Sequence, residues 1–181
     1  MKKTYIIPFV GLKNGEHQFE YEIDSSFFEV YPYDEILGAN AQVAVHLNKQ
    51  VTLLEFEFTV TGTVEVRCDV SNEPYNQTID STLALVVKFG DVYNDDHLDI
   101  VILPRDSYEI DIAQYIYELI VLALPKKKEH PGIKDGTLKS EIVDKLKEYQ
   151  PKENSNSISS DPRWDKLKEL ITDKKRKDGT S

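Results

Sequence analysis

Between residues 15 and 103 the apolar positions recur mostly at every second residue, which is the period of a strand with one buried face. In "EHQFEYEI" His17, Phe19, Tyr21 and Ile23 alternate with Glu16, Gln18, Glu20 and Glu22, so one face is apolar and the other acidic. The preceding "TYIIPFVGL" and the Asn14-Gly15 pair predict a first hairpin closed by a type I′ turn. Asp24 and Ser25 then allow a short turn or helix through Phe27, Phe28 and Val30. "AQVAVHLNK" alternates again, and residues 51–70 form a long β-branched and aromatic run in which Gly62 reads as a bend or bulge. "QTIDSTLALVVKF" and "LDIVILP" predict two further strands, with Asn94-Asp95-Asp96 as a polar turn. Strands in such density, without helical spacers, predict antiparallel pairing in a curved sheet or small barrel.

At residues 109–130 the period changes. Ile112, Tyr115, Ile116, Leu119, Ile120, Leu122 and Ala123 cover most of a helix's circumference, leaving Asp111, Gln114 and Glu118 on a narrow polar stripe. This pattern predicts a core helix over 111–124 that closes one end of the sheet, with Asp111 as N-cap and Gln114 completing a capping-box-like pair. Pro125 stops it, and Lys126–Lys128 follow its negative end. At about 20 Å it is too short to cross a bilayer. Beyond it, Leu138, Ile142 and Leu146 mark an amphipathic helix, "PKENSNSISSD" a polar linker, and Asp161-Pro162 the start of a last helix carrying Trp164, Leu167, Leu170 and Ile171. The expected fold is α+β: a curved antiparallel sheet or partial barrel packed on one buried helix, with a C-terminal helical extension. Residues 1–125 form the β-rich core; residues 126–181 form a linker and appended, partly flexible helices.

Charge sharpens this division. Residues 1–124 hold 7 Lys and Arg against 21 Asp and Glu, a balance of −14, whereas residues 125–181 carry +4. An acidic body repels phosphate backbones and favours basic partners. No leader or membrane span is read from the sequence, so a cytoplasmic location is expected. The single cysteine, Cys68, staples nothing and reads as a core thiol. Asp91, Asp95, Asp96, Asp99 and His97 invite a hard-cation reading, but their spacing fits no EF-hand loop. There is no P-loop, dinucleotide fingerprint, HExxH or nucleophile elbow. No catalytic residue, metal or cofactor is therefore expected.

Three segments together resemble one family: "TVEVRCDVSNEPY", "IDIAQYIYELIVLALPKKKEH" and "DPRWDKLKEL". Their order and spacing are similar to those of the bacterial YceD family, described as large ribosomal RNA subunit accumulation proteins. Cys68 stands at the first cysteine of the family's Cys-x-x-Cys and Ser71 at the second. Asp111 and Glu118 match acidic positions of the helix, Pro125 its stop, and His130 a downstream histidine. With Ser71 in place of a thiolate, and no cysteine pair after His130, this version should be metal-free. The resemblance implies a non-enzymatic ribosome-biogenesis factor that supports accumulation of large-subunit ribosomal RNA. Its expected partner is a basic ribosomal protein or a pre-ribosomal particle. Candidate partner-binding residues are Arg67, Asp111, Glu118, His130, Arg163 and Trp164; the C-terminal segment, with Lys174–Lys177, is the candidate RNA contact. The alternative is a small-ligand-binding β-barrel lined by Phe19, Tyr21, Phe27, Phe28, Phe56 and Phe58.

Overall fold

Alternation along the central strands decides the architecture. The computed structural model describes residues 5–97 and 99–138, with positions 142, 145, 148 and 149, the last four helical. The predicted helix from Asp161, with Arg163, Trp164 and the terminal lysines, lies outside the described residues. The fold below belongs to one compact unit, residues 1–144.

The elements in chain order are β1 (Ile6–Ile7), β2 (Gly15–Asp24), α1 (Ser25–Val30), β3 (Ile36–Lys49), β4 (Leu53–Arg67), β5 (Pro74–Gly90), β6 (Asn94–His97), β7 (Ile100–Pro104), β8 (Ile110–Asp111), α2 (Ala113–Leu122) and α3 (Pro131–Lys134). Six strands form one sheet in the order β2-β3-β4-β5-β7-β6, and β1 pairs separately with β8. The sheet is open; it is not a closed barrel. Its inner face carries Val43, Val45 and Leu47 of β3, Phe56, Phe58 and Val60 of β4, Leu85 and Val87 of β5 and Val101 of β7, all buried. Phe27 and Phe28 of α1 belong to the same cluster, with Phe19 and Tyr21 packed at its margin. The aromatic strand positions are thus packed core and not the lining of a barrel cavity.

Four expectations from the pattern are corrected. The first hairpin does not form: β1 pairs antiparallel with β8, Ile6 opposite Asp111, and β2 pairs with β3. Pro8 cannot donate to a ladder, and Gly15 adopts positive φ without Asn14, so the two-residue type I′ geometry is absent. Lys49 instead ties this segment down, its Nζ donating to the carbonyls of Phe9 (2.7 Å) and Leu12 (2.8 Å). Gly62 is not a bulge, because the pairing runs unbroken through Ala41–Gly62 and Gly62–Ile79. Register shifts lie between Ile36 and Gly38 of β3 and between Asn94 and His97 of β6. Residues 94–96 are not a turn but the start of edge strand β6, and the more apolar β7 takes the interior place, parallel to β5. A polar, charged strand is tolerated at an edge, where one side of its ladder faces water.

Helix α2 is the fourth case. It begins at Ala113, with Ile112 as N-cap, and Asp111 lies in β8. The Asp111 carboxylate still accepts from the Ala113 amide at 2.9 Å, but Gln114 donates forward to Glu118 (2.9 Å) and closes no capping box. Ala113, Ile116, Leu119 and Ile120 are buried along one side, while Leu122 is 75% exposed. The burial is one-sided, narrower than the apolar circumference suggests.

Candidate functional site

Where β4 ends, the chain turns through residues 68–73 before re-entering the sheet as β5. Two short-range hydrogen bonds and one left-handed residue shape this turn. Cys68 donates its amide to the Glu73 carbonyl (2.9 Å), Asn72 donates back to the Cys68 carbonyl (2.8 Å), and Asn72 takes a left-handed φ of 61°. The Cys68 sulfur then gathers backbone amides from Val70 and Ser71 (both 3.4 Å) and from His130 (3.3 Å). Burial pushes the Cys68 thiol up, but hydrogen bonds from the Ser71 side chain and from the amides of His130, Ser71 and Val70 outweigh it and hold the thiol below its ordinary value.

A second strand of contacts runs beside the first. Asp69 donates its amide to the Lys128 carbonyl (2.8 Å), and Lys128 returns its own amide to Asp69 Oδ2 (2.7 Å). The Lys128 ammonium, whose side chain is only 12% exposed, sits 3.0 Å from Glu35 Oε2 and 3.5 Å from Asp69 Oδ1. The Lys128 amide first, and then its charge, hold the Asp69 carboxyl below the usual range. The hydrogen bond to Glu35 raises Lys128. The chain at Lys128–His130 is thereby fastened to the end of the sheet across roughly sixty residues of sequence.

Two of the predicted partner residues meet here. Arg67 donates to the Asn72 carbonyl at 3.3 Å, and the His130 ring packs edge-on against Tyr75 at 5.5 Å. His130 Nδ1 accepts from the Gly132 amide (2.9 Å), which leaves the ring proton on Nε2 in the neutral form. His130 thus serves the sulfur with its backbone amide while its ring is engaged elsewhere, so the pair is not a nucleophile and its base. Asp111 and Glu118 lie instead in β8 and α2, where Asp111 accepts from the Ala113 amide and Glu118 from the Gln114 side chain. Arg163 and Trp164 lie outside the described residues. Among the described residues no three His, Cys, Asp or Glu side chains gather as a metal site requires. Asp91 pairs with Arg105 at 3.3 Å, both well exposed.

The outer face of the sheet has a different character. In register, its cross-strand rows read Glu16–Asn48–Glu55–Val86, Gln18–His46–Glu57–Ala84, Glu20–Ala44–Thr59–Thr82 and Glu22–Gln42–Thr61–Asp80. Asp24 and Glu65 extend the series. From row to row this surface carries acids and no lysine or arginine, which appear only at its two ends as Arg67 and Lys88.

The family model described as "Large ribosomal RNA subunit accumulation protein YceD" matches residues 56–171, well over half of the chain. The chain belongs to the YceD family. The matched stretch runs from within β4 through the Cys68 turn, β5 to β8, α2 and the Lys128–His130 segment, so Cys68, Asp69, Lys128 and His130 fall within the family's extent and Glu35 does not. The family is named for accumulation of ribosomal RNA and not for a catalysed reaction. Comparison with curated proteins and with solved structures found no match. No helix among the described residues is long and apolar enough to cross a membrane. Within this YceD-family chain, sequence reasoning singled out Arg67 and His130 but missed Asp69, Glu35 and Lys128. Three consecutive lysines gave no sign of which one would be largely covered, and Glu35 lies 93 positions away from its partner.

Proposed function

We propose that this protein is a non-enzymatic ribosome-biogenesis factor that supports accumulation of large-subunit ribosomal RNA by holding a basic ribosomal protein, free or within a pre-ribosomal particle, in the cytoplasm. Membership of the YceD family carries the reading. The single-sign outer face supports a protein partner over bare RNA, because such a face repels phosphates and attracts Lys- and Arg-rich chains. In this reading α2 braces one end of the sheet, and the clasp of Cys68, Asp69 and Lys128 fixes where the C-terminal segment leaves the core. Residues 126–181 form the appended part, and Arg163, Trp164 and the terminal lysines add an RNA contact. Affinity purification of the full chain from lysate at low salt, without crosslinker, tests the main claim. Enrichment of large-subunit ribosomal proteins or precursor particles is expected; their absence from the eluate refutes it. Deleting residues 150–181 should abolish direct RNA binding, and RNA affinity with an unchanged salt slope would remove the C-terminal contact from the proposal.

A further inference from the structure

A cleft of about 390 Å³ opens between α1, β7, β8 and the first turn of α2. Three tyrosines from separate parts of the chain line it: Tyr31 at the C-cap of α1, Tyr93 just before β6, and Tyr115 in α2. Glu109, Asp111 and Gln114 supply its polar wall, and no lysine or arginine contributes to it. Tyr93 is 49% exposed at the rim, and its hydroxyl donates to Asp95 at 3.1 Å. Burial first, and then the nearby Glu118 and Asp95 carboxylates, push the Tyr115 phenol up to about 12.

We propose that this cleft seats an arginine side chain presented by the basic protein partner, a step that rests on the reading given above. Faces of aromatic rings attract cations, and a flat guanidinium can stack on one ring while its fork reaches a carboxylate. An apolar occupant would strip water from Glu109 and Asp111 with nothing in exchange. A phosphate would meet repulsion from the same carboxylates. The size, at the lower end of ligand sites, suits one long side chain. Asp111 and Glu118, which the sequence nominated without a shared purpose, both meet this cleft: Asp111 lines it, and Glu118 accepts from the Gln114 side chain of its wall at 2.9 Å.

The test uses the full chain, an acetylated and amidated (Gly-Arg)4 peptide, and the same peptide with citrulline for arginine. Calorimetry at low salt should show binding of the arginine peptide, with the neutral citrulline peptide at least about tenfold weaker. Amide shifts should centre on Gln114 and Tyr115. Tyr93→Ala should weaken binding about fivefold and Tyr93→Phe, which keeps the ring, less than about twofold. Full affinity in Tyr93→Ala, shifts confined to the outer face of the sheet, or shifts of the same amides by an RNA oligonucleotide would each overturn the assignment. So would binding that emerges only after residues 150–181 are removed, which would make the chain's own tail the occupant. Co-purification from lysate separates the two claims. Equal recovery of ribosomal proteins by wild type and Tyr93→Ala removes the cleft alone, whereas no recovery by wild type removes the partner reading beneath it.

Discussion

Gly62 is the position where the sheet is least forgiving. It faces inward on β4 between Ala41 and Ile79, with φ at +151°. A Cβ placed there would lie 2.5 Å from Ala41 Cα and 2.5 Å from the Asn40 carbonyl oxygen, both backbone atoms of the neighbouring strand. Gly15 also has a positive φ, +120°, but a Cβ there meets nothing within 4 Å. The two glycines therefore separate strain from collision. Alanine at Gly15 carries a backbone strain of about 1–3 kcal/mol, offset by about 0.4–1 kcal/mol of lost unfolded-state entropy, for a net cost near 1 kcal/mol. Alanine at Gly62 carries the same strain and must also push β3 aside, adding about 1–3 kcal/mol, for a net cost near 3 kcal/mol. Urea unfolding of Gly15→Ala and Gly62→Ala, read against wild type at equal m-value, measures both. In thermal melts the Gly62 variant should fall by about 6–12 °C. A Gly62→Ala cost equal to or below that of Gly15→Ala would refute the close-approach argument.

Further outcomes follow from the clasp and the cleft. Cys68→Ala leaves the Val70, Ser71 and His130 amides without their acceptor and should cost about 2 kcal/mol in chemical denaturation. Because the folded thiol lies below its ordinary 9.0, the unfolded state binds more protons between the folded value and 9.0. Wild type should thus gain stability over Cys68→Ala as pH rises through that window, and a gap flat with pH would contradict the amide cradle. Asp69, also depressed, stabilises above its ordinary 3.8 and loses that contribution as pH falls through its folded value. The advantage of wild type over Asp69→Asn should accordingly close in acid; an advantage unchanged at low pH would count against the Lys128 contacts. Ultraviolet titration of the phenols should lose a late transition near 12 in Tyr115→Phe, and an intact transition would place Tyr115 outside the buried wall of the cleft.

Strand identity was legible in the sequence because it depends on a local period. The alternation around Val43, Val45 and Leu47, and again around Phe56 and Phe58, sets which side chains face inward whatever the pairing partner. The short helix after Asp24 was equally local, since the carboxylate caps the Ser26 amide at 3.0 Å. Family membership was carried by short motifs whose spacing survives without any knowledge of contacts. Pairing was not legible. That β1 joins the distant β8, and that β7 slips between its sequence neighbours β5 and β6, are outcomes of competition among strands, decided by which apolar set can be buried. The same limit holds for the candidate sites. Arg67, Asp111, Glu118 and His130 could be nominated one by one, yet the placing of Lys128 between Glu35 and Asp69, and the meeting of Tyr31, Tyr93 and Tyr115, arise only when elements separated along the chain are brought together. Local chemistry fixes what each segment is able to become; the choice of neighbours belongs to the packed chain, where burial is shared among segments that carry no record of one another.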